Sequence, residues 1–483
     1  RPNDAKSGPK GEPMTPILSA SLVVLTPTPA SSLSVSTLML QRSARAGSSF
    51  RSAVVFPGGA LDLADEAAVG CPTEVSDQDD VAGKAEYRRA LQLCALRETF
   101  EETGLLLLPS DRQSAGGVPF SRAVGAKEAG LSPKEWAKKR DEVHEDAGLF
   151  PDFLLSVAKR IGIQGAQAGA AAGSIETTQD VPLPTLPLVP LAYHSHWITP
   201  RSVVRPGKRF SAHFFLTILD TTSAPSSSGQ ASRDELPSLA LSADGSETLS
   251  LRVSPLEDFI EATLRDEILL YPPQFYILAD LYATMGQGAG AEIGERARKL
   301  APLAFGGRPR QGNGVTPVEE EPRGLAKGTN YAWDRETEKP TGWVATSKGH
   351  AVTAVEPHAL PKQGGTMALN FEKRPSSLSN GKEGEQEGEE EEDTPFVFPL
   401  VLPGDWQASK SQRRAAGVGD ESASSPSTSQ RPLNRIYVSP RNPEHGGGLI
   451  ARGARRRGLP GLVDWKVGFE LEEGRDEELG RAD

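Results

Sequence analysis

Apolar positions along the first part of the chain switch between two periods. Residues 16–26 (PILSASLVVLT) and 36–42 (STLMLQR) are strand-length apolar runs, and the Pro- and Ser-rich stretch 27–34 reads as the turn between them. Residues 54–56 (VVF) are a third short run that enters Pro57-Gly58-Gly59, a strand meeting a turn. Residues 63–83, rich in Asp and Gly, read as loop. Over 85–103 the period becomes helical. Leu93, Leu96 and Phe100 make an inward stripe, and Gly104 marks the end. Residues 105–108 (LLLL) follow as a buried strand.

The pattern continues with two capping boxes. Ser132-Pro133-Lys134-Glu135 predicts a helix running to about residue 147, with Gly148 as its stop. Ser254-Pro255-Leu256-Glu257 predicts another running to about 265. Further helices are expected over 152–161 and 272–284, and a short strand over 249–253. Residues 188–198 and 209–219 are strand-like and joined by the short basic connection 199–208, which predicts an antiparallel hairpin. The stretch 165–173 (GAQAGAAAG) reads as a flexible insert, and 221–234 as a Ser-rich loop.

Beyond residue 286 the pattern thins. Residues 306–380 hold few apolar runs, and order is expected to return at 394–402 (TPFVFPLVL) and 434–438 (NRIYV). The organisation expected is one main domain over 14–285 and a low-complexity, disordered stretch over 286–393. Returning strands over 394–440 would pack on the main domain around a disordered insert, and 441–483 would be a tail. Composition agrees. With 49 Gly, 39 Pro and 6% aromatics, the 483 residues suit one large ordered domain with long disordered segments, not two or three domains. The net charge of −11 is local, because 382–393 (KEGEQEGEEEED) holds eight acids and one Lys, so acidity does not bear on the substrate.

Two cysteines, Cys71 and Cys94, provide no disulfide framework and fit a reducing, intracellular compartment; Cys94 reads as a small core residue. No run of 18 apolar residues exists, so no membrane partner is expected. The basic run 452–457 is too short to point to nucleic acid. His194, His196 and His213 invite a zinc reading, but strand positions without a nearby Cys make them core residues instead, as are Trp197, Phe214 and Phe215.

The candidate chemistry lies in residues 95–108 (ALRETFEETGLLLL). Glu98, Glu101 and Glu102 stand at i, i+3 and i+4, on one helical face. Like charges at that spacing repel. A solvated acidic face is the plain alternative. A divalent cation against the cluster explains it better, and hard oxygen ligands suit Mg²⁺ or Mn²⁺.

With the upstream FPGG turn, RETFEETGL (97–105) resembles the Nudix box, in which Gly, five residues, Glu and seven residues precede Arg-Glu-aliphatic-any-Glu-Glu-any-Gly-aliphatic. Every charged position of the second half matches, and Thr99 alone departs, where an aliphatic residue is usual. In the first half, six positions on from Gly59 stands Asp65, one methylene shorter than Glu. About 24 extra residues then separate it from the helix, an insertion that leaves the role of Asp65 open.

Further segments resemble the acyl-coenzyme A diphosphatase branch of that superfamily, which includes a mammalian peroxisomal enzyme. They are LMLQRSARAGSSF (38–50), HWITP (196–200), RFSAHFF (209–215), SPLED (254–258), YPPQFY (271–276) and LPGD (402–405). The likeness covers roughly residues 14–285 and 394–406. A related coenzyme A signature is matched only in part, by Arg42, Ser43 and Arg45.

The resemblance implies an α/β fold, a Nudix-type α/β/α sandwich around a mixed sheet with helical additions. It implies hydrolysis of a diphosphate in a small-molecule nucleoside diphosphate derivative, coenzyme A or acyl-coenzyme A first, with Mg²⁺ or Mn²⁺. A nucleotide sugar, dinucleoside polyphosphate or capped RNA end, or a binding module that has lost catalysis, are the alternatives. Glu98, Glu101, Glu102 and the Gly58 carbonyl become metal ligands. Arg97 pairs with a carboxylate of the cluster or with Asp65. The general base is not identified by the resemblance, and Glu98 and a loop carboxylate both stay open. Arg42, Arg51 and Gly59 become substrate-binding residues. A peroxisomal or mitochondrial location is implied by resemblance, cytoplasmic otherwise. The C-terminal Arg481-Ala482-Asp483 is not of the Ser-Lys-Leu type, and an N-terminal signal stays open because residue 1 is Arg.

Overall fold

The computed structural model describes residues 16–27, 35–42, 53–71, 85–112, 118–163, 186–199, 209–220, 248–286, 332–333, 340–341, 343–346, 349–352, 358–359, 398–401, 433–440, 449–458 and 463–468. The first strands are β1 (Ile17–Pro27), β2 (Val35–Arg42), β3 (Val54–Val55) and β4 (Gly58–Ala60). Two helices follow, α1 (Leu63–Ala68) and α2 (Ala85–Thr103). Next come β5 (Leu106–Pro109), β6 (Phe120–Val124), α3 (Pro133–Glu145), a 3-10 turn at Ala147–Leu149 and α4 (Phe150–Arg160). Then β7 (Ala192–Ile198), β8 (Phe210–Leu219), β9 (Thr248–Pro255), α5 (Leu256–Leu264) and α6 (Pro272–Leu281) complete the main unit.

Among the described residues these strands form one nine-stranded sheet. Its path is β3-β2-β1-β8-β6-β5, with β4 on β1, β7 on β8 and β9 on β2. It is mixed: β8 runs parallel to β1 and β6, and the remaining pairs are antiparallel. β1 is apolar on both faces because both are covered. Ala20, Leu22 and Val24 point to a core shared with Leu93, Leu96 and Phe100 of α2, with Trp136 of α3 and with Phe150 to Ala158 of α4. Val23 and Leu25 point to a second core with α5 and α6. The chain is the expected α/β sandwich with helices on both sides of a mixed sheet.

Later strands are β10 (Ala332–Trp333), β11 (Pro340–Thr341), β12 (Trp343–Thr346), β13 (Gly349–Val352), β14 (His358–Ala359), β15 (Phe398–Val401), β16 (Leu433–Pro440), β17 (Leu449–Arg457) and β18 (Trp465–Gly468). The last five make a second sheet in chain order. Leu400, Ile436, Val438, Leu449, Ala451, Ala454 and Trp465 of that sheet join the core of α5 and α6.

Several expectations need correction. The stretch read as a tail carries β17 and β18. The loop expected over 63–83 begins with α1, which Asp62 caps. Ser254 caps no helix: it lies in β9 opposite Thr37, and α5 starts after Pro255 without a side-chain cap. Pairing with β2 claims the residue that a local motif assigned to the helix. The first capping box is present, Ser132 and Glu135 bonding reciprocally, but α3 stops at Glu145 and Asp146 caps the turn that follows. The disorder expected over 286–393 falls mostly outside the described residues, as do the insert 165–173, the insert expected within 394–440 and the segment LPGD. Among the described residues no helix is long and apolar enough to cross a membrane.

The basic run 452–457 is a strand, and Arg456 is buried in it. Its guanidinium donates to Asp280 Oδ1 at 2.5 Å and lies over the Trp465 ring, 5.2 Å from its centroid. Tyr276 on α6 donates to Asn434 Oδ1 at 2.9 Å. The three histidines also have structural partners. A register shift between Tyr193 and Ser195 lets His194 turn to Asp280 Oδ2, 3.2 Å away. His196 stacks on His213 at 4.0 Å, and His213 Nδ1 meets the Tyr193 hydroxyl at 2.8 Å. Burial pushes His213 well below the usual histidine range.

Burial alone would raise the Asp280 carboxyl, but Arg456 and His194 outweigh it and hold it at about 2. A depressed carboxylate contributes stability above its ordinary pKa of 3.8 and loses it as pH falls towards about 2. Asp280→Asn leaves Arg456 without its carboxylate and should cost roughly 3–5 kcal/mol near neutrality. It should also lose about 2 kcal/mol less than wild type on acidification through that window. Denaturant melts of both proteins at several pH values check this. Equal acid sensitivity would show that the pair carries no such linkage.

Candidate active site

α2 ends where the chemistry sits. Gly104 adopts the left-handed conformation (φ 74°) that closes a helix, and its N–H donates to the Phe100 carbonyl at 2.8 Å. Thr99 is buried, but its hydroxyl donates to the Ala95 carbonyl at 2.7 Å, so a polar residue is satisfied in an aliphatic position. Phe100 packs against Trp136, Phe150 and Phe153. This anchoring turns the opposite face, with Arg97, Glu98, Glu101 and Glu102, towards β4.

Arg97 is the hub. Its Nε donates to Asp65 Oδ1 at 3.0 Å and its Nη2 to Asp65 Oδ2 at 2.9 Å, a two-pronged pair. Its Nη1 donates to Glu98 Oε1 at 2.9 Å and to Glu101 Oε1 at 2.7 Å. Asp65 also accepts from the Asp62 N–H at 3.1 Å, closing the capping box of α1. Its role, open from sequence, is thus to fix Arg97 and α1 together. Burial works against charge on Arg97, and the carboxylates of Glu98 and Asp65 outweigh it, so its pKa lies above the usual arginine range.

Two glycines bring β4 close. A side chain on Gly58 would meet the Ala20 carbonyl at 2.4 Å, and its N–H donates to Glu102 Oε2 at 2.9 Å. A side chain on Gly59 would lie 2.4 Å from the Glu98 carboxylate. Glu102 also pairs with Arg42 Nη1 at 3.5 Å. The structure therefore gathers Arg42, Gly58, Gly59, Arg97, Glu98, Glu101 and Glu102. Arg51 and Arg45 lie outside the described residues.

Four carboxylates, counting Asp65, face the guanidinium groups of Arg97 and Arg42. Burial pushes Glu98 up to about 7, opposed by Arg97 and reinforced by Glu101 and Asp65. This excess of buried negative charge, with the Glu98 carboxylate filling the place a Gly59 side chain would take, is of the kind a hard divalent cation offsets, and Glu98, Glu101 and Glu102 are the residues that could hold one. Among the described residues no three acidic, His or Cys side chains already converge on one point. Arg97 Nη1 lies against both Glu98 and Glu101.

Sequence reasoning missed two groups. Arg140 Nε donates to the Glu101 carbonyl, and His144 Nδ1 lies 3.1 Å from Glu101 Oε2. Trp136, Arg140 and His144 stand at successive i, i+4 steps behind the capping box, which was the available signal.

No family model matches the chain. It is 29% identical over 286 residues, 53% of its length, to the acyl-coenzyme A diphosphatase NUDT19 of Gallus gallus. The alignment spans 63% of that relative, less than two thirds of its length. This chain resembles the Nudix superfamily. Within that superfamily it resembles the acyl-coenzyme A diphosphatase branch. Among solved structures it is similar to a NUDIX hydrolase from Alicyclobacillus acidocaldarius at 20% identity, over 56% of this chain and 93% of that one, with a TM-score of 0.35. It is also similar to the NUDIX domain of Shewanella oneidensis NrtR, solved with ADP ribose, at 10% identity, over 53% and 83%, with a TM-score of 0.22.

The FPGG turn segment and the RETFEETGL helix are separated in sequence but joined by Asp65 and Arg97. Asp65→Ala should cost roughly 3 kcal/mol, the scale of breaking a buried ion pair. Asp62→Ala, which removes only the cap, should cost about 1 kcal/mol. Urea unfolding of both variants checks the difference. Equal losses would mean that Asp65 matters only to the α1 cap.

Proposed function

We propose that the chain is a diphosphatase that hydrolyses coenzyme A or acyl-coenzyme A in the presence of Mg²⁺ or Mn²⁺. The observation that carries this reading is the placing of Glu98 and Glu102 against the Gly58-Gly59 turn, with Glu101 tied to Glu98 through Arg97 and Arg42 beside Glu102. The likeness to a chicken acyl-coenzyme A diphosphatase supports the substrate.

Water attacks a phosphorus of the diphosphate, the bridging P–O bond breaks, and a proton is released. The products are a 4′-phosphopantetheine species and adenosine 3′,5′-bisphosphate. The obstacle is negative charge approaching negative charge. A bound divalent cation supplies positive charge for the diphosphate oxygens and acidifies the attacking water. Arg97 holds Glu98 and Glu101 in register so that the acids stay together. The lack of a side chain at Gly59 lets the Glu98 carboxylate pack directly against the turn. Arg42 ends β2 at the cluster and, with Arg51, supplies guanidinium groups for the 3′-phosphate of coenzyme A.

The test is a substrate panel with Mg²⁺, read by product mass, comparing coenzyme A, an acyl-coenzyme A, dephospho-coenzyme A, a nucleotide sugar and a dinucleoside polyphosphate. Glu101→Gln should lose at least about a hundredfold in kcat while remaining folded. Dephospho-coenzyme A lacks only the 3′-phosphate, so its kcat/KM should be about ten- to a hundredfold lower, the scale of one lost charge-assisted contact. Arg42→Ala should shrink that gap. Equal cleavage of both compounds would refute 3′-phosphate recognition. Cleavage of a nucleotide sugar alone would refute the coenzyme A assignment.

A further inference from the structure

Three residues of one α3 face reach the end of α2. Trp136 Nε1 donates to the Gly104 carbonyl at 3.1 Å, and Arg140 Nε donates to the Glu101 carbonyl. Both are buried and hold backbone. His144, one step further along, meets the Glu101 carboxylate itself, at Oε2, and leaves 45% of its side chain in solvent. The Glu101 oxygen is the acceptor of this contact when Nδ1 carries the hydrogen.

Glu101 is therefore anchored from two helices. Oε1 takes Arg97 of its own helix at 2.7 Å, and Oε2 takes His144 of α3 at 3.1 Å. Each carboxylate oxygen has two lone-pair directions, so each keeps one for a further ligand. A carboxylate anchored at one oxygen can still swing, whereas anchors on both oxygens fix its plane. Groups of this kind orient ligands at metal centres without touching the metal.

We propose that His144 is a positioning residue, which through Nδ1 fixes the Glu101 carboxylate for divalent-cation binding. This rests on the metal-dependent reading of the acidic cluster. The box motif does not assign it, because His144 lies 40 residues beyond Gly104 on another helix. The competing role is local: a histidine in the last turn of α3 also complements that helix's dipole.

The experiment titrates Mn²⁺ into the full-length chain without substrate and reads free Mn²⁺ by electron paramagnetic resonance. Melting temperatures of the cation-free proteins are measured alongside. His144→Ala should weaken Mn²⁺ binding about ten- to a hundredfold, the usual scale for losing such an orienting partner. His144→Asn, whose Nδ2–H stands near the position of Nδ1–H, should recover most of that loss. The melting temperatures should match wild type within a few degrees. If His144→Ala binds Mn²⁺ as wild type does while Glu101→Gln does not, the positioning role is wrong and the metal site stands. If both His144 variants bind weakly and melt early, the residue serves α3 alone and the proposal falls. If Glu101→Gln itself binds Mn²⁺ like wild type, the metal reading of the cluster fails first.

Discussion

A buried guanidinium is costly unless every N–H finds a partner, and Arg97 finds partners on three elements. Its fork spans Asp65 of α1, Glu98 and Glu101 of α2, and the Ala60 carbonyl of β4 at 3.3 Å. Losing any of these leaves charge uncompensated in the core, so the three elements are fixed relative to one another by one side chain. The cluster then survives as a cluster. Mutually repelling carboxylates stay within reach because a cation that cannot be deprotonated sits among them.

The same geometry explains how the box tolerates an insertion. Residues between α1 and α2 can lengthen so long as Asp65 returns to Arg97, since a longer loop adds closure entropy only slowly. α1 carries the backbone of Asp65 to the guanidinium, where the carboxylate meets both Nε and Nη2. Asp62 and Asp65 cap that helix reciprocally, so its first turn and the Arg97 contact form together.

Much of this was legible in the sequence. The span of α2, its inward stripe and its Gly104 stop follow from local pattern, and so does the β7–β8 hairpin. What escaped depends on distant partners. α1 is six residues long and finds its main support in Arg97, beyond the reach of a local window. Ser254 matches a capping box perfectly well, yet the β2 edge takes it as a strand residue. β17 lies in a stretch that reads as a tail, and Asp280, the Val463 carbonyl and the Trp465 ring make its Arg456 a core residue. In the candidate site the box revealed the acids and Arg97. It could not reveal His144, whose relevance comes from how α3 packs across the end of α2.

The Asp280–Arg456 contact joins positions 176 apart in the chain. A ribosome adding roughly 5–20 residues per second needs about ten to thirty seconds to supply that interval. During it, α6 has been made but its buried carboxylate lacks its guanidinium, and the apolar faces of α5 and α6 lack the sheet that covers them. The nascent chain must then keep that side of the fold loose, or shielded by a chaperone, until β16 to β18 emerge. The half that carries the acidic cluster can assemble early from contacts within one stretch, whereas the opposite face closes last.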